Sequence, residues 1–374
     1  MDVDARAEGW ARLQLCGLGP VPLVALLRAF GTPTAIFAAT RGALRAVVAT
    51  AVAAQLDAGP DPARLATTLA WLAEPGRSLI AWDDSDYPRA LLETADPPPV
   101  FYCIGNRALL AQPAFAIVGS RNASAQGEID AQAFATALSA AGLTIVSGLA
   151  QGIDAAAHHG GLAAAGRSIA VVGTGLDRVY PAANRDLALA LAANGLLLSE
   201  FAPGTPPMKQ NFPRRNRVVS GLSLGVLVVE ASLRSGALIT ARLCAEDHGR
   251  EVMVLPGRVD WPTFAGCHKI IREGWATLVT SAADILDALC PAGQTLKAGL
   301  AATDNHAEPA APSLFDQNLT GSQQKILAAM DEPSAVERIA ARSGLPVATI
   351  QADLTMLQIR GVIMREGGLW TRKR

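Results

Sequence analysis

The sequence has few of the features that mark metal, disulfide or membrane proteins. Its five cysteines are dispersed without a C-x-x-C pair, which predicts reduced thiols and neither a disulfide framework nor a zinc site. No apolar run reaches the roughly 18 residues that a membrane span needs. The N-terminus lacks the basic start and apolar stretch of a signal peptide. We therefore expect a cytoplasmic protein with no metal and no membrane contact.

Charge is nearly balanced over the whole chain but unevenly distributed. The formal net charge is -1, yet residues 205–275 hold ten Lys and Arg against six Asp and Glu. Residues 321–374 hold eight against five, so the two segments carry +4 and +3 and the remainder carries -8. Because concentrated positive charge favours an anionic partner, a nucleic acid stays among the expected ligands.

Apolar patterning divides the 374 residues into four parts. Residues 1–72 contain short apolar helices between turn signals, which predicts a small helix–hairpin–helix bundle. Residues 73–290 alternate apolar strands with amphipathic helices, which predicts an α/β domain with a Rossmann-like, doubly wound parallel sheet. Residues 291–320 have no periodicity and are predicted to be a linker. Residues 321–374 show three helices and two strands, the pattern of a winged helix.

The loops that follow the predicted strands share one composition. Ligands of open parallel sheets bind beyond the carboxyl ends of the strands, and five of the six loops there are rich in Gly and Ser, with arginines among them. Glycine lets the backbone approach a phosphate, serine offers a donor, and arginine provides a planar fork for phosphate oxygens. This repetition predicts a polyanion site, although any one glycine could simply make a turn. The candidates are Gly119, Ser120, Arg121, Ser124, Gly148, Gly152, Gly173, Gly175, Arg234, Ser235 and Gly236.

The densest basic run is NFPRRNRVVSG, residues 211–221. Three arginines behind a phenylalanine suit phosphate contact combined with base stacking, which is the usual chemistry of single-strand binding. For Phe212 an alternative stays open, in which the segment is a solvated helix start and the ring lies in the core. The candidates in and beside this run are Lys209, Phe212, Arg214, Arg215, Asn216 and Arg217.

Signatures of nucleotide-dependent enzymes are missing or incomplete. The chain has no G-x-x-x-x-G-K-[ST] sequence, and GTGLDR has Arg178 where the third small residue of a dinucleotide fingerprint belongs. GLSLG at 221–225 precedes a strand, whereas a nucleophile elbow follows one. We expect no catalytic residue and no cofactor.

Six long motifs between about residues 80 and 290 resemble, in order and spacing, those of the DprA/Smf family of bacterial DNA-processing proteins. They are IVGSRNAS, SGLAQGIDAAAH, AVVGTGLDRVYPAAN, LLSEFAPGTPPMKQNFPRRNRVVSGLS, VLVVEASLRSGALITARLCAEDHGREVMVLPG and GCHKIIREGW. The resemblance implies an extended Rossmann fold whose basic pocket binds single-stranded DNA. It also implies a homodimer that loads the RecA recombinase during natural transformation, without enzymatic turnover.

The same resemblance places particular residues on family positions. Arg121, Arg214, Arg215 and Arg217 fall on basic positions of the motifs. Two residues depart from the family pattern. Gln151 stands where arginine is common, which implies one fewer phosphate contact, and His268 stands where asparagine is common.

Two other functions stay open from the sequence. An enzyme acting on nucleotides would use Asp154 and His158, an i,i+4 pair, with Glu200 or Glu230 at strand ends. Against this alternative, the chain lacks the P-G-G-x-G-T loop of such hydrolases. A transcription factor would rest on the winged helix alone, whose recognition segment holds only Arg360 near its end.

Overall fold

The computed structural model describes residues 4–289 and, in the C-terminal part, residues 321–330, 334–346, 349–350, 353–354, 357, 363–366 and 369–372. The chain divides into two compact units, Met1–Ala302 and Thr303–Arg374. The predicted linker at 291–320 lies outside the described residues.

Six helices form the N-terminal bundle: α1 (Ala5–Leu15), α2 (Pro20–Phe30), α3 (Pro33–Ala38), α4 (Arg41–Val47), α5 (Thr50–Ala58) and α6 (Pro62–Leu72). Side-chain oxygens of Asp4, Thr32, Thr40 and Asp61 accept from first-turn amides and so begin four of these helices. The apolar core of the bundle also takes in the first two strands, β1 (Arg77–Ala81) and β2 (Val100–Gly105). The bundle therefore packs directly on one end of the sheet.

A nine-stranded sheet forms the centre of the first unit. Its other strands are β3 (Ala114–Val118), β4 (Thr144–Ser147), β5 (Ser168–Val171), β6 (Leu196–Ser199), β7 (Gly225–Val228), β8 (Glu251–Val254) and β9 (Thr277–Leu278). The strand order is β1-β2-β6-β5-β4-β3-β7-β8-β9. Strands β3 to β9 are parallel, and β2 joins them antiparallel to β6. The predicted Rossmann-like α/β fold is confirmed, extended by two antiparallel strands.

Helices cover both faces of this sheet. One face packs against α8 (Ala125–Ala140), α9 (Ile153–Leu162) and α14 (Ala282–Ala288). The other packs against α7 (Arg89–Leu92), α11 (Asn211–Leu222), α12 (Ala237–Arg242) and α13 (Ala265–Arg272), while α10 (Arg185–Asn194) lies over β5 and β6. Since both faces are buried, the strands are continuously apolar.

A half-buried arginine fixes the carboxyl end of α11. Arg250 Nη1 donates to the carbonyl oxygens of Ser220 at 2.9 Å and Gly221 at 2.7 Å, and also to that of Ser223. Its Nη2 donates to the Ala90 carbonyl oxygen at 3.2 Å. The last carbonyls of a helix lack partners within the helix, so this guanidinium holds α11 in place. The opposite end of α11 carries the basic run.

The second unit contains α15 (Gly321–Ala328), α16 (Val336–Ser343) and further helical residues at 349–350, 353–354 and 357. Strands β10 (Ile363–Glu366) and β11 (Leu369–Arg372) pair antiparallel. Its core includes Ile326, Ile339, Leu354 and Trp370. These elements agree with the predicted winged helix. Among the described helices of both units, none is long and apolar enough to cross a bilayer.

Candidate nucleic-acid interface

The loops after β3, β4 and β5 and the start of α11 meet at the carboxyl edge of the sheet. Gly152 has a φ of +73°, and a Cβ there would lie 2.4 Å from the Ser120 carbonyl oxygen. A Cβ at Gly173 would lie 3.1 Å from the ring of Phe212. Glycine is therefore required at Gly152, where the loops approach each other too closely for a side chain, and a side chain at Gly173 would press on the Phe212 ring.

Two aromatic rings and an arginine form the exposed part of this edge. The Arg121 guanidinium lies over the Phe212 ring, 5.5 Å from its centroid. The Tyr180 and Phe212 centroids are 5.7 Å apart, with the ring planes inclined by 38°. Phe212 is half-buried and Tyr180 is 44% exposed. We call these three residues the aromatic–arginine cluster.

Tyr180 was not among the candidates from the sequence. Glycine and arginine were the phosphate ligands expected in its loop, and an aromatic side chain was not among them. The signal was present, because Tyr180 lies in the same Gly-rich loop after β5 that contains Gly173 and Gly175.

The basic candidates differ in how free they are to meet a phosphate. Arg121 and Lys209 are exposed, and neither forms an ion pair with a described carboxylate. In contrast, Glu200 binds two arginines of the basic run. Arg214 Nε lies 3.3 Å from Glu200 Oε1, and Arg217 pairs with Glu200 Oε2. The net charge that Arg214 and Arg217 present is therefore smaller than the sequence suggests.

Arg215 points into the protein, unlike its neighbours. Its residue is only 6% exposed, and a Cβ at Gly148 would lie 1.4 Å from Arg215 Nη1. Burial raises the pKa of the Asp154 carboxyl, and the positive charge of Arg215 opposes that rise. Asp154 accepts from the amides of Gly148 at 3.1 Å and Ala150 at 3.3 Å. We therefore propose that Arg215 supports the loop after β4, while its predicted phosphate contact stays a prediction.

Glu230 fills the position where dinucleotide-binding folds hold a phosphate. That position lies at the switch point between β3 and β7, at the start of α8. Glu230 is fully buried, accepts from the Ser124 amide at 3.1 Å and is also bonded by the Ser124 hydroxyl. A Cβ at Gly127 would lie 2.4 Å from its Oε1. Ser124, a predicted phosphate ligand, thus binds a carboxylate of the chain itself.

The remaining candidates lie on either side of the aromatic–arginine cluster. The loop after β7 contains Arg234, Ser235 and Gly236, and Asn216 Nδ2 donates to the Gly236 carbonyl oxygen at 3.4 Å. Arg234 is exposed there. Gly175 is buried, and its amide donates to the Thr205 carbonyl oxygen at 3.0 Å. This bond ties the loop after β5 to the loop after β6, which leads to Lys209.

His158, a possible base in the enzyme alternative, uses both ring nitrogens inside the protein. Nε2 accepts from the Leu149 amide at 3.2 Å, and Nδ1 lies 2.7 Å from Ser168 Oγ. Because Ser168 Oγ donates its own proton to the Ile145 carbonyl oxygen, Nδ1–H is the donor to Ser168. Burial, assisted by the charge of Arg215, lowers the pKa of His158 to about 3. This neutral imidazole joins β4, β5 and α9.

His158 should make stability depend on pH. Between pH 6.5 and about 3 the unfolded chain binds a proton at this residue and the folded chain does not. The contribution of neutral His158 to the free energy of unfolding is therefore fully present above pH 6.5. It falls as the solution is acidified, by about 2 kcal/mol at roughly pH 5. Urea unfolding at neutral and acidic pH should show this loss in the wild type and in His159→Gln, an exposed neighbour, but not in His158→Gln. An equal loss in His158→Gln would contradict the assignment.

No group of three or more His, Cys, Asp or Glu among the described residues could hold a metal ion. The candidate site is built from arginine, lysine, aromatic rings and glycine backbone. Such groups bind phosphates and bases.

Comparison with known proteins gives a consistent result. The family described as DNA recombination-mediator protein A matches residues 78–290, and the DprA winged helix domain matches 306–368. Protein Smf of Escherichia coli (strain K12) is 41% identical over 310 residues, which are 82% of this chain and 80% of the relative.

Two solved structures are also similar. DNA processing protein A from Streptococcus pneumoniae matches with a TM-score of 0.66 and 36% identity, over 77% of this chain and 98% of that one. DNA processing protein A from Helicobacter pylori, a structure described for its single-stranded DNA binding mode, matches with a TM-score of 0.52 and 30% identity, over 60% and 96%. The family match covers more than half of the sequence, and the chain belongs to the DprA/Smf family of DNA-processing proteins.

Proposed function

We propose that this protein binds single-stranded DNA at the carboxyl edge of its sheet and does not turn it over. The observation that carries the proposal is the aromatic–arginine cluster, in which an exposed guanidinium and two accessible rings lie side by side. Base stacking on Phe212 and Tyr180 together with phosphate contact by Arg121 and Lys209 is the chemistry of sequence-tolerant single-strand binding.

The exposure of the rings favours a single strand over a duplex. Bases in a duplex are stacked on one another, so their faces are closed to protein side chains, whereas unpaired bases can be stacked on aromatic rings. In the loop after β7, the Cβ position of Gly236 has open space around it, so a sugar–phosphate chain can come close to the backbone there. The structure of the Helicobacter pylori relative, described for its single-stranded DNA binding mode, supports the same ligand class.

The placement of the acidic residues supports a role without catalysis. Asp154 binds loop amides, Glu230 binds Ser124, and Glu200 binds Arg214 and Arg217. His158 is neutral and bonded on both nitrogens. A general acid or base must reach the substrate and change its protonation state, and these four groups are engaged within the fold.

Family membership extends the proposal to partners. We infer that a homodimer of this protein protects incoming single strands in the cytoplasm and loads the RecA recombinase on them during natural transformation. This part rests on the resemblance to DprA/Smf proteins, and the single-strand site described above is what RecA loading would require.

A comparison of matched oligonucleotides tests the proposed ligand. We expect a single strand of mixed sequence to bind more tightly than the corresponding blunt duplex, because only the single strand offers its base faces to Phe212 and Tyr180. Affinity should fall with salt along a log–log slope of about -0.7 for each phosphate neutralised. Electrophoretic shifts at two salt concentrations, without added nucleotide, measure both effects. Equal or tighter binding of the duplex would refute the proposal.

A further inference from the structure

A second exposed aromatic group lies at the same edge of the sheet, in the loop that follows β8. Trp261 is 40% exposed, and the Arg258 guanidinium lies 5.7 Å from the centroid of its ring. Beneath it the rings of Phe264 and His268 continue the series. The Trp261 and Phe264 centroids are 6.3 Å apart, and those of Phe264 and His268 are 6.4 Å apart with planes within 25°. We call these three rings the β8 ladder.

The β8 ladder is held in place by the backbone. A Cβ at Gly257 would lie 2.0 Å from the Phe264 ring, so that ring packs directly on the main chain. His268 Nε2 lies 3.1 Å from the Gly257 carbonyl oxygen. The Trp261 amide donates to the Arg258 carbonyl oxygen at 3.2 Å, which closes the turn. A ring fixed before its ligand arrives loses little conformational entropy on binding.

Sheet topology places the β8 ladder in line with the aromatic–arginine cluster. Strands β3, β7 and β8 are adjacent and parallel, so the loops after all three lie at the carboxyl edge. Two strand spacings, about 10 Å, separate the ends of β3 and β8. The loop after β7 lies between them and presents Arg234 to solvent.

We propose that Trp261 stacks a further base of the same single strand, and that Arg258 contacts an adjoining phosphate. The inference rests on the proposed function. It extends the path of the DNA from the loop after β5, past the loops after β3 and β7, to the loop after β8. Arg258 pairs with Asp260 at 2.8 Å, but both side chains are exposed. Exposed pairs of this kind are weak because water screens them, so a phosphate can displace the carboxylate.

This arrangement gives His268 a defined role. The sequence marked His268 as a departure from the family pattern without assigning it a task. In the structure its ring supports Phe264 from below, and Phe264 supports Trp261. His268 is thus a positioning residue for the proposed stacking site, and it acts through two other rings.

Oligonucleotide length separates the two sites. An oligothymidylate of about six nucleotides is near the shortest length that fills one binding site, and one of about twenty nucleotides is longer than a single site. We expect Trp261→Ala to weaken binding of the long strand about tenfold and to leave binding of the short strand unchanged. The factor is that of a stacking contact near the lower end of its usual range. Phe212→Ala should weaken both. Val21→Ala, which removes an exposed apolar side chain from α2 of the bundle, is the matched control.

Tryptophan fluorescence gives a second readout that a purely structural role would not change. Trp261→Phe keeps an aromatic ring but removes this fluorophore. It should retain affinity for the long strand within about threefold and lose part of the quenching that the long strand causes in the wild type.

The outcomes distinguish the two proposals. If Phe212→Ala weakens both strands and Trp261→Ala weakens neither, or weakens both equally, the inference about Trp261 is wrong and the proposed function stands. The same holds if the quenching in Trp261→Phe equals that of the wild type; the exposed loop would then be better explained by a protein partner. If the wild type binds neither strand, the proposed function itself fails.

Discussion

Replacing Arg121 and Phe212 together by alanine is expected to weaken single-stranded DNA binding by about 100-fold. A stacked base contributes about 1–3 kcal/mol, and a hydrogen bond to a charged group contributes about 1.5–3 kcal/mol. The two side chains are also coupled, since the guanidinium lies 5.5 Å from the Phe212 centroid. The effect of the double change should therefore fall short of the full sum of the two contributions.

Binding titrations at two salt concentrations measure the loss and its origin. Arg121→Ala should reduce the salt slope by about one phosphate contact, whereas Phe212→Ala should lower affinity and leave the slope nearly unchanged. Arg45→Ala serves as the control, because Arg45 is exposed in the bundle and lies outside the cluster. If the double variant binds single-stranded DNA as tightly as the wild type, the aromatic–arginine cluster is not part of the binding site.

Replacing Arg215 by methionine is expected to destabilise the protein by about 1–3 kcal/mol, because it removes the positive charge that opposes the rise in the pKa of the buried Asp154 carboxyl. The loop after β4 should lose its structure most readily, because Asp154 accepts hydrogen bonds from the amides of Gly148 and Ala150 in that loop. The free energy of unfolding in denaturant measures the change. Arg214→Met, an exposed neighbour on the same helix, should cost much less.

A double-mutant cycle tests whether the loss comes from the pair. Adding Asp154→Asn to Arg215→Met removes the unpaired charge and should recover part of the stability. If Arg215→Met instead unfolds like the wild type but binds DNA weakly, Arg215 is a phosphate ligand and our structural assignment is wrong.

The order of strands and helices could be predicted from the sequence because each core strand is a short, continuously apolar run between helical segments. TIVS, for example, forms β4, and VLVV covers the last three residues of β7 and the residue after it. The antiparallel extension could not be predicted in the same way. β1 and β2 have the same apolar pattern, and only their pairing with each other and with β6 sets their direction.

The site was predicted in composition but not in side-chain orientation. Arg214 and Arg215 are adjacent, and consecutive residues of a helix point about 100° apart. One therefore reaches the surface while the other enters the core. Arg215 lies on the same buried face of α11 as Val218 and Leu222. Asp154, whose pKa the charge of Arg215 affects, lies 61 positions earlier in the sequence. The bond between Ser124 and Glu230 joins residues 106 positions apart and has no local signal.

The carboxylate at the start of α8 also affects how the protein behaves among the small molecules of a cell. Glu230 follows β7 in the chain and occupies that helix start within the same molecule. A free phosphate must therefore compete with an intramolecular group, whose effective concentration is high. Free nucleotides would have to expel it and bury their own phosphates beside a carboxylate. We therefore expect this helix start to disfavour free nucleotides, whereas the proposed single-stranded DNA would contact other loops of the same edge.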